Sequence, residues 1–238
     1  MKIGIIGQGF VGNAIYQKFK NYFDVLTYDL DKSKCNSTFG DLMMCNTIFL
    51  CLPTPMNMDG SCNVDIVQNT LSEIDLIADN QEVKKTIVIK STVSPGTTKK
   101  WNSLYQSLDI VFNPEFLTEA NAVDDFNNQN RIILGGPKPA TTELRRLYSK
   151  VFPKAHIIKT DSTHAEMVKY LTNSFLATKV SFANEMYQVC EKLNIDYDKV
   201  VEYATLDDRL GKSHWNVPGP DGDFGFGGHC LPKDLHAL

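Results

Sequence analysis

The sequence reads as a doubly wound α/β fold, a parallel sheet followed by a helical region built on one long helix. Three observations carry this reading. Short apolar runs alternate with stretches of helical period from the N-terminus to about residue 160. A glycine-rich turn, Gly7-Gln8-Gly9-Phe10-Val11-Gly12, follows the first of those runs directly. From Ser162 to Asn194 the chain then carries helical spacing with no Gly or Pro. With 238 residues, 42% hydrophobic and 22% charged, there is material for one large or two modest domains, and the division expected is 1–160 and 161–238.

Lys2 to Ile6 is the first strand, and Val11, Ala14, Ile15 and Phe19 then share one helix face. In a strand, glycine turn and helix, Gly7 makes the tight turn, Gly9 lets a pyrophosphate approach the backbone, and Gly12 lets the helix pack on the strand. The phosphates rest on the positive helix N-terminus beside Phe10 and Val11, a Rossmann-type dinucleotide site. The second strand, Val25 to Tyr28, ends at Asp29, roughly twenty residues past Gly7, where an acid accepts hydrogen bonds from a ribose hydroxyl. A carboxylate there repels a 2′-phosphate, which favours NAD over NADP. Asp31 is a rival for that role, and a solvated loop acid is the plain alternative.

Thr47 to Leu52 reads as a buried strand stopped by Pro53-Thr54-Pro55, and a helix is expected from about Val64 to Ala78. Thr86 to Ile89 leads into Lys90-Ser91-Thr92, whose hydroxyls lie at a carboxyl edge where ligands collect; helix capping is their alternative use. Ile110 to Phe112 leads into Asn113-Pro114-Glu115-Phe116-Leu117-Thr118-Glu119 at the same edge. Arg131 to Leu134 and His156 to Ile158 complete the strands, separated by a helix from about Thr141 to Val151. The stretch from Ser162 to Asn194 is one helix of about 45 Å at roughly 1.5 Å per residue. Asp161, Ser162 or Thr163 caps it, with Glu166 available for a capping box behind Thr163. Lys169 and Asn173 share a face near its start; for Lys169, solvation is the ordinary fate. A shorter helix follows from Asp198 to Ala204.

The net charge of −4 disfavours nucleic acid as a partner. No apolar run reaches the roughly 18 residues needed to span a bilayer, and the N-terminus enters a strand without the regions of a signal peptide, so a cytoplasmic location is expected. The six cysteines and five histidines lack metal-ligand or paired spacing, so neither a metal site nor a disulfide framework is expected.

The last distinctive stretch is Phe224-Gly-Phe-Gly-Gly-His-Cys-Leu-Pro-Lys-Asp234. Gly225, Gly227 and Gly228 allow positive φ and close backbone approach, Pro232 stiffens the exit, and Lys233 and Asp234 put charge beside the thiol of Cys230. Such a loop presents a reactive sulfur, or else it buries a small hydrophobe.

Taken in order, the glycine turn, Asp29, Pro53-Thr54-Pro55, Lys90-Ser91-Thr92, Asn113 to Glu119, Ala165 to Asn173, Asp208-Arg209 and Phe224 to Asp234 resemble the UDP-glucose/GDP-mannose dehydrogenase family, its UDP-glucose-oxidising branch most closely. The resemblance runs through nearly all of the chain. It implies an NAD-binding sheet, a helical region on the long helix, and NAD-dependent four-electron oxidation of a nucleotide sugar at C6, UDP-glucose to UDP-glucuronate. On that resemblance Cys230 is the nucleophile, Lys169 and Asn173 stabilise oxyanion charge, Glu115 is the acid/base group, and Thr92 and Asp234 hold a water or hydroxyl proton. Lys34, Thr54, Glu119 and Lys233 match cofactor-contacting positions. Phe116, Leu117, Thr118, Trp215 and Gly227 match substrate-contacting ones, as do Glu115, Glu119, Lys169 and Asn173. Arg209 matches an arginine donated across a homodimer interface.

Within the same resemblance, GDP-mannose and UDP-N-acetylmannosamine are alternative substrates. His229 resembles the amino-sugar enzymes, and Lys233-Asp234 the glucose or mannose type. The segment between Asp29 and Thr47 is short for the family, and the family's C-terminal nucleotide-binding domain has no counterpart in these residues. That leaves three expectations: a fragment, a minimal member that binds substrate with fewer contacts, or a protein that no longer turns over and serves as a non-catalytic NAD-binding module.

Overall fold

The computed structural model describes residues 1–228 and 230–238, so His229 lies outside the described residues. The chain divides into two compact units, the first comprising 1–57 and 62–169, the second 58–61 and 170–238.

The first unit is built on a seven-stranded sheet: β1 (Lys2–Ile6), β2 (Asp24–Tyr28), β3 (Thr47–Leu50), β4 (Lys85–Ile89), β5 (Leu108–Phe112), β6 (Arg131–Gly135) and β7 (His156–Thr160). Their spatial order is β2-β1-β3-β4-β5-β6-β7, so the sheet is wound outward in both directions from β1 and β3. The central strands are buried on both faces and therefore read as unbroken apolar runs. The edge strands β2 and β7 carry exposed positions. Successive residues feed opposite layers. Ile48, Leu50, Ile87, Ile89 and Phe112 pack on α3 (Asp65–Asn80) and α4 (Thr97–Leu104). Ile3, Ile5, Phe49, Val88 and Val111 pack on α1 (Phe10–Phe19), α5 (Ala122–Asn127) and α6 (Lys138–Val151). Phe19 centres this second layer, with ring contacts to Phe49, Phe126 and Tyr148 at centroid separations of 5.5, 5.9 and 5.7 Å.

Three features depart from the sequence reading. β6 pairs antiparallel with β5 through Phe112 and Gly135, whereas β1 to β5 are parallel to one another and β6 is parallel to β7. A strand buried on both faces has the same apolar run in either direction, so composition does not report its polarity. The helices α4 and α5 were not expected, because Thr-Thr-Lys-Lys-Trp-Asn-Ser-Leu and Ala-Val-Asp-Asp-Phe-Asn offer few apolar side chains; Trp101 and Phe126, each 1% exposed, anchor them. Glu166 does not join a capping box. Asp161 accepts from the His164 backbone N–H at 3.0 Å and caps α7 (Ser162–Leu193). The Glu166 carboxylate instead accepts from the backbone N–H groups of Gly96 and Thr98 at 2.6 and 2.8 Å, closing the start of α4. Burial pushes its pKa above the usual carboxylate range.

The short segment after Asp29 adds a brief helix, α2 (Phe39–Leu42), and covers the outer edge of β2. Asn36 pairs with that strand through Thr27 and Val25, so one side chain serves where a further strand would pair. Between α7 and β6 only glycine fits: a Cβ on Gly135 would lie 2.4 Å from the Ala165 Cβ.

The second unit contains the remainder of α7, α8 (Tyr197–Ala204) and α9 (Cys230–His236). Its small core gathers Ala183, Cys190, Tyr197 and Val217. Among the described residues, no helix is long and apolar enough to cross a membrane.

Replacing Glu166 by Ala strands one buried backbone donor, at Thr98, and one half-buried donor, at Gly96, so a loss of about 1–3 kcal/mol for the first, and less for the second, is expected in urea denaturation. Glu166→Gln, which keeps an acceptor, should recover part of it. An Ala variant as stable as the parent would show that these bonds do not hold α4.

Candidate active site

The residues just past the ends of five neighbouring strands form one row across the sheet edge: Asp29, Gly7, Cys51, Lys90 and Asn113. Backbone bonds hold the row, from Gly7 N to Tyr28 O, Cys51 N to Ile6 O, Lys90 N to Leu50 O and Asn113 N to Ile89 O, all 2.8–2.9 Å. Beyond these positions the strands' covering layers end, so polar side chains can appear.

At one end of the row lies the glycine turn. Gly7 has φ +91°, and a Cβ there would meet the Cys51 carbonyl at 2.3 Å. A Cβ on Gly12 would lie 1.9 Å from the Gly7 carbonyl, so only glycine lets α1 approach β1 this closely. Gly9 has open space where a Cβ would point. This is the cradle a pyrophosphate requires: room at the second glycine, and the first N–H groups of α1, at Phe10, Val11 and Gly12, without intrahelical partners. Beside it is a cavity of about 570 Å³ lined by Gln8, Gly9, Phe10, Asn13, Lys34 and Cys35. The Asp29 carboxylate accepts from the Gln8 and Asp31 backbone N–H groups at 2.6 and 2.9 Å, against the turn. Asp31 caps the turn at Lys32–Lys34 by accepting from Ser33, and those bonds hold its pKa below the usual range.

Midway along the edge, Ser91 accepts from Leu52 N at 3.0 Å and donates to Leu52 O at 2.6 Å. It ties β4 to the Pro53-Thr54-Pro55 loop and caps no helix. Thr54, buried, donates to the carbonyl of Thr92, which is also buried.

At the far end, Lys169 is 4% exposed, so solvation is not its fate. Its ammonium donates to the Glu115 carbonyl at 2.8 Å and to Glu115 Oε1 at 2.9 Å, while Glu115 Oε2 accepts from Leu117 N at 2.7 Å. A buried ion pair of this kind is weak support for stability, because desolvation consumes most of the attraction. The Phe116 ring faces Arg131 at 4.1 Å and Lys169 at 5.6 Å. Thr118 is held by Asp125 through both its N–H and its hydroxyl, and Glu119, exposed, opens the turn that follows. A second cavity, about 320 Å³, is lined by Lys90, Glu115, Phe116, Thr118, Asp125 and Arg131, among others.

In the second unit, Asp234 is 1% exposed and both carboxylate oxygens are engaged: Asn173 donates to one at 2.6 Å and Lys233 to the other. Cys230, half-buried, opens α9 four residues before Asp234 in the same helix. The loop before it is held by Asn184, which accepts from Gly225 N at 3.0 Å, and by Phe224 against Tyr187 at 5.7 Å. Gly227 lies against the Asp221 carboxylate, the movable end of an exposed side chain. Trp215 donates to the Gly211 carbonyl at 2.9 Å under the Lys179 ammonium. Arg209 is exposed and paired to Asp207 two residues away.

Sequence reading gave no role to Lys90, Asn113, Tyr148, Arg131 or Asn184. Lys90 did carry a signal, a charge ending an otherwise apolar strand run. Asn184 and Tyr148 sit mid-helix with no local sign of a long-range partner. No cluster of three or more His, Cys, Asp or Glu able to hold a metal ion occurs among the described residues, and none of the six cysteines forms a disulfide there.

The wound sheet and its glycine turn define the class of dinucleotide-binding α/β domains followed by a helical domain. Residues 36–152 match the UDP-glucose/GDP-mannose dehydrogenase family, NAD binding domain, and residues 163–238 match its central domain. UDP-glucose 6-dehydrogenase of Campylobacter jejuni is 32% identical over 272 residues, covering 100% of this chain and 67% of its own length. UDP-glucose 6-dehydrogenase of Bacillus subtilis is 32% identical over 276 residues, and the chain spans 58% of its length. A UDP-glucose dehydrogenase structure from Pyrobaculum islandicum superposes with a TM-score of 0.85 at 27% identity, covering 99% of this chain and 62% of that one. The chain belongs to the UDP-glucose/GDP-mannose dehydrogenase family. NAD is the cofactor of its first domain.

Gly12→Ala should abolish measurable NAD binding by calorimetry, because its Cβ would displace the Gly7 carbonyl. Gly9→Ala, with open space at its Cβ, should fold normally and weaken NAD binding at least tenfold. Undiminished affinity in both would remove the phosphates from this turn.

Proposed function

We propose that the protein catalyses NAD-dependent four-electron oxidation of a nucleotide sugar at C6, UDP-glucose to UDP-glucuronate, through a thiohemiacetal and then a thioester on Cys230. The division proposed is 1–160 for cofactor binding and 161–238 for the catalytic cysteine region. The observation that carries the reading is that charged motif residues are buried and engaged, Lys169 with Glu115 in one unit and Asp234 with Asn173 and Lys233 in the other. Groups so costly to bury are placed where chemistry uses them.

NAD, when bound, accepts hydride in each of two successive oxidations. The residues do the rest. In the first oxidation the hydroxyl proton leaves to a water or base held by Thr92 and Asp234. The Cys230 thiolate then adds to the aldehyde carbon, giving a thiohemiacetal whose oxygen carries the negative charge. Lys169 and Asn173 donate to that oxygen, an effect of about 3 kcal/mol per donor. After the second hydride leaves, Glu115 takes a proton from the water that attacks the thioester, releasing the carboxylate and restoring the thiol. Gly7, Gly9, Phe10, Val11, Gly12, Asp29, Lys34, Thr54, Thr92, Glu119 and Lys233 serve the cofactor in this reading. The Phe116 to Thr118 backbone, Trp215, Gly227 and Arg209 serve the sugar nucleotide.

Two NADH per UDP-glucose are expected from the purified chain. Cys230→Ser should bind UDP-glucose and form no acid. Equal activity in that variant would remove the nucleophile. Binding of NAD without NADH from any nucleotide sugar would make the chain a non-catalytic module. Turnover of GDP-mannose or UDP-N-acetylmannosamine alone would change the substrate and keep the chemistry.

We also propose a cytoplasmic homodimer, the location resting on the sequence reading. Leu171, Phe175 and Phe182, all on α7, are 64%, 65% and 51% exposed, which supports a second copy covering that helix. Sedimentation should give twice the chain mass, and Phe175→Glu should give monomer. Monomer in the parent chain at micromolar concentration would reject the dimer.

A further inference from the structure

Lys90 belongs to the Lys90-Ser91-Thr92 motif, and the chemistry above uses only its neighbours. It is 4% exposed, at the end of β4, and its ammonium donates to Asn113 Oδ1 at 3.0 Å. That amide is a junction. The same oxygen accepts the Tyr148 hydroxyl at 2.5 Å, and Nδ2 donates to the Ile133 carbonyl at 2.8 Å. Two donors on one side and a carbonyl on the other leave the amide one orientation. Asn113 therefore joins β4, β6 and α6 at the point where β5 ends. Pro114 follows with its φ fixed by the ring, and Glu115 comes next. The root of the turn that presents Glu115 to Lys169 is held by this amide.

Charge adds a second link. Lys90 lines the cavity that Glu115 also lines, and its ammonium interacts with the charges of both Glu115 and Lys169. The buried group thus holds two ammoniums and one carboxylate.

We propose that Lys90 is a positioning residue of the Glu115–Lys169 pair, orienting the Asn113-Pro114-Glu115 turn through the Asn113 amide and supplying the second positive charge beside Glu115. The inference rests on the reading of Glu115 as the acid/base group. Its charge is also a switch. Burial pushes the Lys90 pKa down to about 8. The groups facing it are Cys51 after β3, Glu115 after β5, Tyr148 of α6 and Lys169 of α7; Asp125 and Arg131 line the shared cavity. Burial pushes the Cys51 thiol up to about 12 and the Tyr148 hydroxyl well above its ordinary range, so neither loses its proton near pH 8. Below about pH 8 Lys90 carries its charge; above it the charge is lost and the charge-assisted bond to Asn113 weakens.

The test follows kcat and KM against pH in the whole chain, together with the Asn113 side-chain amide resonances, assigned by Asn113→Ser. The parent should lose kcat as pH rises through about 8, with little change in KM for NAD, and the amide resonances should titrate with the same midpoint. Lys90→Met should lower kcat at least tenfold at neutral pH and abolish both inflections. Lys90→Arg should keep more activity than the Met variant and move the inflection above pH 10. Should Lys90→Met fail to fold, Tyr148→Phe still decides: it removes one donor to Asn113, and kcat should fall while the inflection near 8 persists. Unchanged kcat and pH profile in folded Lys90→Met, or in both the Arg and Phe variants, would overturn the proposal. Cys230→Ser separates the readings, because its amide titration needs no turnover. Titration there with no NADH from the parent would sink the proposed reaction and leave the Lys90–Asn113 junction standing.

Discussion

A strand covered by helices on both faces has no place for a charged side chain along its length. β3 obeys this constraint along its whole length, β4 and β5 carry charge only at their amino ends, at Lys85 and Asp109, and much of the architecture follows from it. Polar chemistry is displaced to the strand ends. Lys85, at the amino end of β4, reaches the carbonyls of Met43 and Cys45. At the opposite ends the chain sets out Asp29, Gly7, Cys51, Lys90 and Asn113 in a single hydrogen-bonded row. The dinucleotide turn and the Glu115 turn are two parts of one edge because each strand's register places its exit beside its neighbour's.

The same burial that gathers these groups raises their electrostatic stakes. Away from water an ammonium or carboxylate survives only with partners, so the cluster near Glu115 is a network rather than a set of separate residues. Lys169 is held by a carbonyl and a carboxylate, Lys90 by an amide that also serves Tyr148, and Glu115 by Lys169 and a backbone N–H. Glu166, three residues before Lys169, holds the start of α4. The first turns of α7 therefore supply both a charge for chemistry and a cap for a neighbouring helix.

The elements that could be read from sequence were those whose causes are local. An apolar run after Met1, a glycine turn and a helix face are properties of short windows, and the turn's fitness for phosphate follows from where a Cβ could not be. Strand polarity was not local: β6 would carry the same residues in either direction, and Phe112 meeting Gly135 decides it. Nor were α4 and α5, which are too short for a helical period to show and persist because Trp101 and Phe126 are buried and, for α4, because Glu166 supplies a cap. For the site, the resemblance to the family implied Glu115, Lys169, Asn173 and Asp234, while Tyr148, Arg131 and Asn184 gave no sign of their partners.

Residue order alone thus suffices for the class of fold, the dinucleotide turn, the place of Asp29 and the family's motifs, because glycine, proline and apolar period act within a few residues of themselves. Tertiary structure decided the direction of β6, the use of Glu166 and Ser91, and the burial of Lys169. It also brought Lys90, Asn113 and Tyr148 together. These depend on which groups meet across long stretches of chain, and a hydrogen bond between residues 23 or 35 positions apart leaves no periodic trace in either one's neighbourhood.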